Sequence, residues 1–305
     1  MRFSFRDSWN HSIEQANSKP TEPRDYIYAS ELGGSVFDIY HKMKGEEPTT
    51  PPNLRSYRKF NAGHTWEWII KMILYRVGAL EVDQVTVNTE SENNICGVHG
   101  RLDFIVSPEN YNPDLSDELQ RDLPEYLKAF IQSLEKVSFD RAVFECKSVG
   151  SFMFPKREKD AAPNHKLQLF HYCKEQGLPG LICYVSKDDC LLAEHYFDEW
   201  DRIPNDYTAF INLVSRYYYT NEVPPKEDLI LFEDGKFSKN WKVEYSNYLD
   251  KYGFETPEDY RNVVDGKVSR WNRVLKRIEE GAKMTDNNKE ALKEIESEFP
   301  GILDK

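Results

Sequence analysis

The sequence predicts an α/β fold in which strands and helices alternate through the middle of the chain, with helical additions at both ends. Residues 60–78 carry apolar side chains at the i, i+3, i+4, i+7 spacing of an amphipathic helix that ends at Gly78. Residues 81–89 alternate in polarity as a strand does. Further along the chain, strands are predicted at 100–106, 142–149, 178–186 and 191–197, and a helix at 164–177.

The pattern divides the chain into three parts: an N-terminal arm and helix at 1–60, a core at 61–200 and a helical, charged C-terminal region at 201–305. Proline residues mark a loop at 49–58, and a turn is predicted at 232–240. An acidic insertion with a helical pattern interrupts the core at 107–140. The insertion would either be a surface segment that steers a bound nucleic-acid strand or be a surface segment with no functional role.

Composition limits the class of protein. Of the 305 residues, 39% are hydrophobic and 30% are charged, which indicates a globular chain. No apolar stretch approaches the roughly 18–20 residues that span a bilayer, so no membrane partner is expected. The N-terminus has no apolar signal region, and the five cysteines include no CxxC pair. We therefore expect a cytoplasmic protein.

The net charge of −12 argues against a protein that coats nucleic acid without specificity, because such binding needs a broad basic surface. It leaves room for an enzyme whose basic groups lie only where the strand passes. One local basic cluster contains Lys156 and Arg157.

Ionisable groups interrupt two of the predicted buried strands. Asp103 lies in the first, and Glu145 and Lys147 lie in the second. Side chains two residues apart leave the same face of a strand, and Asp103 on a neighbouring strand could reach that face. Two carboxylates offer oxygen ligands for Mg²⁺ or Mn²⁺, and a lysine can hold a water or a phosphate oxygen. The alternative is a structural acid–lysine pair at a sheet edge.

Four short strings in order support the first interpretation: Gly63–Glu67, Gly100–Asp103, Glu145–Lys147 and Gln168–Tyr172. Together they resemble the PD-(D/E)XK nuclease superfamily, and within it the RecB-like and CRISPR-associated RecB-like exonucleases. The resemblance implies a restriction-endonuclease-like core, which is a mixed central sheet flanked by helices.

The resemblance also implies roles for individual residues. Asp103 and Glu145, with the Cys146 carbonyl and Glu67, would hold Mg²⁺ or Mn²⁺, and Lys147 would position the attacking water. His64 competes with Glu67 for the first-motif role, and it could instead simply cap the helix. Gln168 and Tyr172 lie one helical turn apart and would help to position the substrate. The side chains expected to contact DNA are Arg101, Lys156, Arg157, Lys166, Gln168 and Tyr172.

One feature of these relatives is missing. Many carry an iron–sulfur cluster held by cysteine thiolates. This chain keeps the surrounding pattern but has Ser35, Val243 and Ser246 where the cysteines would be. We therefore expect no iron–sulfur cluster.

The leading functional hypothesis is a metal-dependent DNA nuclease that acts as an exonuclease on ends or single strands, in recombination, repair or phage genome processing. The alternative is a catalytically silent protein of the same fold that binds DNA ends or a protein partner. RNA as the substrate stays open, as do polarity, strand preference and oligomeric state.

Overall fold

The computed structural model describes residues 5–16, 20–112, 125 and 140–304, and these fall into two compact units. The first unit comprises residues 1–46 and 52–222, and the second comprises 47–51 and 223–305. The helical pattern predicted inside the 107–140 insertion lies outside the described residues, apart from Glu125.

The first unit is built on a six-stranded mixed sheet. The path through the sheet is β1-β3-β4-β5-β6, and β2 pairs with β3 as well. β1 runs parallel to β3, β4 runs parallel to β5, and the other pairs are antiparallel. The strands are β1 (Tyr26–Tyr28), β2 (Leu80–Asn88), β3 (Gly97–Val106), β4 (Ala142–Val149), β5 (Gly180–Ser186) and β6 (Leu192–Phe197).

Helices cover both faces of this sheet, and they are α1 (Phe5–Ala16), α2 (Val36–Met43), α3 (Leu54–Arg76), α4 (Phe154–Lys159), α5 (Pro163–Gln176) and α6 (Ile203–Thr220). On one face, Trp66 and Ile70 of α3 pack on Phe104 and Phe144. On the other, α2, α5 and α6 enclose a core that includes Leu102. The predicted α/β class, with a mixed central sheet flanked by helices, is confirmed. No helix in the described part of the chain combines the length and hydropathy needed to cross a bilayer.

The second unit has a core of its own around the fully buried Trp271. A two-stranded hairpin occupies the turn predicted at 232–240. Asp234 and Gly235 both take positive φ, as a two-residue hairpin turn requires. The elements of this unit are β7 (Ile230–Glu233), β8 (Lys236–Lys239), α7 (Trp241–Glu244), α8 (Pro257–Glu279) and α9 (Asp286–Glu298).

Several element boundaries differ from the predicted ones. α3 begins at Leu54 and takes over the second half of the predicted loop at 49–58, because the Asn53 side chain accepts the Ser56 N–H at 3.0 Å and caps the helix. β3 begins at Gly97, three residues early, because β1 pairs with residues 97–99. Long-range pairing of this kind leaves no periodic signal in the strand itself.

Two other differences lie C-terminal to β4. The basic cluster after this strand lies on the short helix α4, which was not among the predicted elements. The unit boundary lies after Glu222, whereas the predicted core ended at residue 200. Ile211 and Val214 of α6 are buried in the core of the first unit, so this helix completes the sheet's cover.

Candidate functional site

A gap in strand pairing creates the site. His99 pairs with both β1 and β2, and Val106 pairs with both β2 and β4, so β1 and β4 lie along the same edge of β3. On that edge β1 covers residues 97–99 and β4 covers 104–106. Among the described strands, none pairs with residues 100–103 there. Polar groups can therefore enter the sheet between the ends of β1 and β4.

Asp103 fills the β4 end of this gap. One of its carboxylate oxygens, Oδ2, accepts the Cys146 N–H at 2.8 Å, in place of the backbone carbonyl that a continued ladder would supply. Glu145, which directly precedes Cys146 on β4, is 2% exposed. Its Oε1 accepts from Lys147 Nζ at 2.6 Å and from Gln168 Nε2 at 2.9 Å. The predicted acid, acid and lysine are therefore neighbours.

The helix α5 brings Gln168 and Tyr172 to the same place. Gln168 Nε2 lies 3.3 Å from the Tyr172 hydroxyl as well as bonding Glu145. Gly100 makes room for the tyrosine: a Cβ there would lie 2.7 Å from the Tyr172 Cε1 and hydroxyl and 2.7 Å from the Ala29 Cβ. Gly100, from the Gly100–Asp103 string, therefore leaves space for Tyr172, from the Gln168–Tyr172 string, to enter the gap.

Burial and mutual repulsion oppose ionisation of the two acids. Burial, and next the charge of Glu145, raise the pKa of Asp103 well above its usual range. Burial also raises the pKa of Glu145, although Lys147 offsets part of this rise. For Lys147, burial favours the neutral amine, but the charges of Glu145 and Asp103 outweigh it, and the pKa of Lys147 is raised. The lysine is charged at physiological pH and neutralises only part of the acid pair.

Glu67 and His64 stand one turn apart on α3 and differ in exposure. The Glu67 side chain is 19% exposed, whereas that of His64 is 70% exposed. Glu67 accepts from Gln84 Nε2 at 3.1 Å and lies 3.3 Å from His64 Nδ1. Its charge reaches the acid pair, since it contributes to the raised pKa of both Asp103 and Glu145. The structure therefore places Glu67 toward the acid pair and His64 toward solvent.

The fit of this site to a divalent cation depends on one atom in particular. Glu145 Oε2 is buried and has no hydrogen-bond partner among the described residues, which is a costly state for a carboxylate. A cation bound there would satisfy this oxygen and relieve the repulsion that raises the pKa of Asp103. No group of three His, Cys, Asp or Glu side chains in the described part of the chain is arranged to hold a metal, so backbone and solvent oxygens would have to complete the shell.

Cys146 would take part only through its carbonyl oxygen. Burial, and next the nearby Cys183, raise the pKa of the Cys146 thiol far above physiological pH. A neutral thiol is a poor ligand for a hard cation. With this restriction, the residues present fit Mg²⁺ or Mn²⁺.

The basic residues predicted to contact DNA differ in their surroundings. Arg101 is exposed on β3, two residues from Asp103, and its backbone amide lies close to the Tyr172 hydroxyl. Lys156 is exposed and Arg157 is partly buried on α4. Lys166 forms an ion pair with Asp160 at 2.7 Å. The positive charge of Lys166 is therefore already paired, whereas the other three basic side chains have no ion-pair partner among the residues that the structure describes.

Three residues of this region were not among the predicted site residues. Gln84 on β2 bonds Glu67, His165 on α5 bonds Tyr184 on β5, and Tyr184 is fully buried. His165 lies three residues before Gln168, so its helical spacing was a signal that could have been used. Gln84 takes a positive φ of 51° inside a strand, which no pattern in the sequence indicates.

Ser35, Val243 and Ser246, the positions where the resemblance would place cluster cysteines, have ordinary structural roles. Ser35 caps α2 by accepting the Asp38 N–H at 3.2 Å. In the second unit, Val243 is fully buried in the core, and Ser246 Oγ accepts the Tyr248 N–H at 3.0 Å.

Comparisons with known proteins give no family. A scan against protein-family models and a search of curated proteins both find no match. Among solved structures, one described only as "Crystal structure of SSO0001" superposes with a TM-score of 0.47 at 13% sequence identity, over 81% of this chain and 95% of that one. Similarity at this level carries no argument about function.

Proposed function

We propose that the protein is a metal-dependent nuclease of the PD-(D/E)XK type, an exonuclease that hydrolyses phosphodiester bonds at DNA ends or on single strands. The observation that carries the proposal is the grouping of Asp103, Glu145 and Lys147 at the gap in the sheet, with a buried carboxylate oxygen that receives no donor from the described part of the chain. A structural acid–lysine pair would leave no such oxygen.

Each group then has a distinct task. Asp103, Glu145 and the Cys146 carbonyl would hold Mg²⁺ or Mn²⁺, with Glu67 next to them. The cation would act as a Lewis acid that stabilises the charge developing on the scissile phosphate. Lys147 keeps its proton at Nζ, so it can donate a hydrogen bond to the attacking water or to a phosphate oxygen.

The α5 side chains would fix the geometry of the acids. The Gln168 amide donates to Glu145 Oε1, the same oxygen that Lys147 binds, and so leaves Oε2 free to face a cation. Tyr172 is held next to Gln168 by the notch at Gly100. This arrangement supports the substrate-positioning role that the resemblance implies for the pair.

End-labelled DNA tests the proposal. We expect cleavage of linear single-stranded or duplex DNA in Mg²⁺ or Mn²⁺ and none in EDTA. Closed circular duplex should resist, because an exonuclease needs an end. Rapid cutting of closed circles would contradict the exonuclease part alone, and efficient cutting in EDTA would contradict the metal site.

A catalytically silent binding protein is the competing function. It would bind the same labelled DNA yet leave it intact with every divalent cation tried. The Asp103→Asn variant provides the control, because it should abolish cleavage by the active enzyme and leave the behaviour of a silent protein unchanged.

A further inference from the structure

A second polar cluster lies beside the acid pair on the same face of the sheet. Lys147 of β4 and Tyr184 of β5 are paired in register, so both side chains leave one face. The Tyr184 hydroxyl lies 2.8 Å from His165 Nδ1 and accepts the Ala162 N–H at 2.9 Å. His165 precedes Gln168 by one helical turn on α5. The imidazole is thus held at the end of the site where Lys147 lies.

The hydrogen bonds around Tyr184 fix the tautomer of His165. The Ala162 N–H can only donate, so the hydroxyl acts as its acceptor. Tyr184 is fully buried, and its own proton would lack an acceptor unless it were donated to His165 Nδ1. The imidazole proton must then lie on Nε2. That nitrogen has no partner among the described residues and is not sealed from solvent.

Two positive charges act on this imidazole. Burial, and next the charges of Lys147 and Arg157, lower the pKa of His165 to about 3, so the ring is neutral at physiological pH. Arg157 is anchored by its backbone carbonyl, which accepts from His195 Nε2 at 2.6 Å. A neutral N–H donor within the electrostatic reach of a guanidinium and an ammonium is a suitable environment for a phosphate group.

We propose that Arg157 and the Nε2–H of His165, next to Lys147, form a phosphate-binding subsite that holds a backbone phosphate neighbouring the scissile one. This inference rests on the proposed nuclease function and adds to it: the strand would leave the acid pair along α5 toward α4. Tyr184 acts through His165 and is a positioning residue.

Chemical shifts of the histidine nitrogens test the subsite without any cleavage. In ¹⁵N spectra of the full-length, metal-free protein, we expect His165 to show the Nε2–H tautomer and its Nε2 signal to move on addition of inorganic phosphate. His171 is the internal control. It sits on the same helix and also bonds a tyrosine hydroxyl, at 2.9 Å from Tyr207, but its second nitrogen already faces the Val87 carbonyl. A phosphate-insensitive His165, or an Nδ1–H tautomer, overturns the proposal.

Affinity for a strand is the second measurement, made by fluorescence anisotropy with a labelled single-stranded oligodeoxynucleotide in EDTA. His165→Phe should weaken binding about tenfold or more, the loss expected for one hydrogen bond to a charged group. His165→Gln keeps a donor and an acceptor and should retain most of the affinity. His171→Phe should leave affinity unchanged even where it lowers thermal stability. Equal losses in all three variants would indicate a structural role for His165 and overturn the proposal.

The salt dependence separates the two members of the subsite. Arg157→Gln should lower the log–log slope of affinity against salt by roughly 0.7, the value for one phosphate contact on a single strand. His165→Phe should leave the slope unchanged, because the neutral ring releases no counterion. An unchanged slope for Arg157→Gln would contradict the assignment of Arg157.

The two proposals fail in different ways. Phosphate-sensitive His165 and reduced strand affinity, without cleavage in any divalent cation, would support the subsite and overturn the nuclease. Cleavage in Mg²⁺ together with unchanged strand affinity of His165→Phe would support the nuclease and overturn the subsite. A response to inorganic phosphate but not to the oligonucleotide would restrict the subsite to free phosphate and overturn the strand path.

Discussion

At the scale of single residues, the two oxygens of Glu145 differ sharply in their surroundings. Oε1 receives both Lys147 and Gln168, whereas Oε2 has no donor among the described residues. An uncompensated buried charge of this kind costs free energy of folding. Such a cost is typical of residues whose chemistry is used, and it makes the site testable one side chain at a time.

Lys147 and Glu145 should have separable effects. Glu145→Ala removes a carboxylate ligand, so both Mn²⁺ affinity by calorimetry and cleavage should fall. Lys147→Ala removes no ligand and should retain Mn²⁺ binding, while the cleavage rate drops by about 10²–10³-fold, as for other deleted stabilising groups. Lys174→Ala, which removes an exposed, ion-paired lysine on α5, is the matched control and should change neither. Wild-type cleavage by Lys147→Ala would show that the active site lies elsewhere.

The raised pKa of Asp103 gives a pH-dependent prediction for the metal-free protein. A carboxyl whose pKa is raised on folding stabilises the folded state at low pH, and this stabilisation is lost as pH rises from the unfolded value near 4 through the folded pKa. Asp103→Asn keeps an oxygen for the Cys146 N–H and removes the charge. In EDTA it should therefore raise the melting temperature near pH 8, by about 2–4 °C for each kcal/mol of relieved repulsion, and flatten the slope above pH 4.

The same variant should be indistinguishable from wild type near pH 3, where both carry an uncharged group at this position. Differential scanning calorimetry across pH 3–8 provides the comparison. A melting temperature of Asp103→Asn that falls below wild type at pH 8 would mean that the acid pair is stabilising, as expected of a purely structural pair.

At the scale of elements, the site depends on how α5 meets the edge of β3. The gap between β1 and β4 is closed from one side by Tyr172, and it is Gly100 that permits this approach. Gly33 makes a similar contact near the start of α5, where a Cβ would lie 3.2 Å from the Asn164 side chain. Gly33 and Gly100, which both face α5 from other segments, therefore allow this helix to pack closely against those segments.

Gly100→Ala adds only one methyl group, yet it should disturb the packing of the site strongly. The new methyl group would force Tyr172 or Ala29 to move, at a cost of about 1–3 kcal/mol typical of overpacking. We expect lower stability in urea and slower cleavage together. Gly150→Ala is the matched control directly after β4, where the nearest atom to a new Cβ is Asp188 Oδ2 at 3.9 Å. Equal behaviour of the two variants would contradict the tight approach of Tyr172.

At the scale of the whole molecule, all the candidate site residues lie in the first of two units, each with its own core. The second unit packs Phe237, Tyr260 and Ile295 around Trp271. Its segment 47–51 is joined to it through the Thr50 N–H, which donates to the Asn247 carbonyl at 2.9 Å.

Trp271→Ala should therefore separate stability from metal binding. Removing this fully buried ring should cost about 3–5 kcal/mol within the second unit, visible as an earlier unfolding transition by calorimetry. Mn²⁺ affinity at 10 °C should be retained, because every proposed ligand lies in the first unit. Trp241→Ala, at a position 47% exposed in the same unit, should change neither quantity. Loss of Mn²⁺ binding in Trp271→Ala would mean that the site depends on the second unit.

The sequence by itself determined the order of the longer helices and strands of the core, because periodicities of 2 and 3.6 are local properties of a segment. The short helix α4 and the three-residue strand β1 were not predicted. It also singled out Asp103, Glu145 and Lys147, since ionisable groups stand out in apolar strands. Gln168 and Tyr172 were singled out by the resemblance to the PD-(D/E)XK nucleases. Element ends set by capping or by distant pairing, such as those of α3 and β3, were misjudged.

Only the tertiary structure decided which groups meet. The gap on β3 exists because β1 and β4, which are more than 100 residues apart in the chain, pair with different parts of one edge. That gap turns Asp103 toward the Cys146 N–H and admits Tyr172 over Gly100. The tautomer of His165 on α5 depends on Tyr184 of β5, whose hydroxyl also accepts the N–H of Ala162, the N-cap residue of α5. Burial, which raises the pKa of both acids, is a property of the whole packed sheet, and no local pattern in the chain contains it.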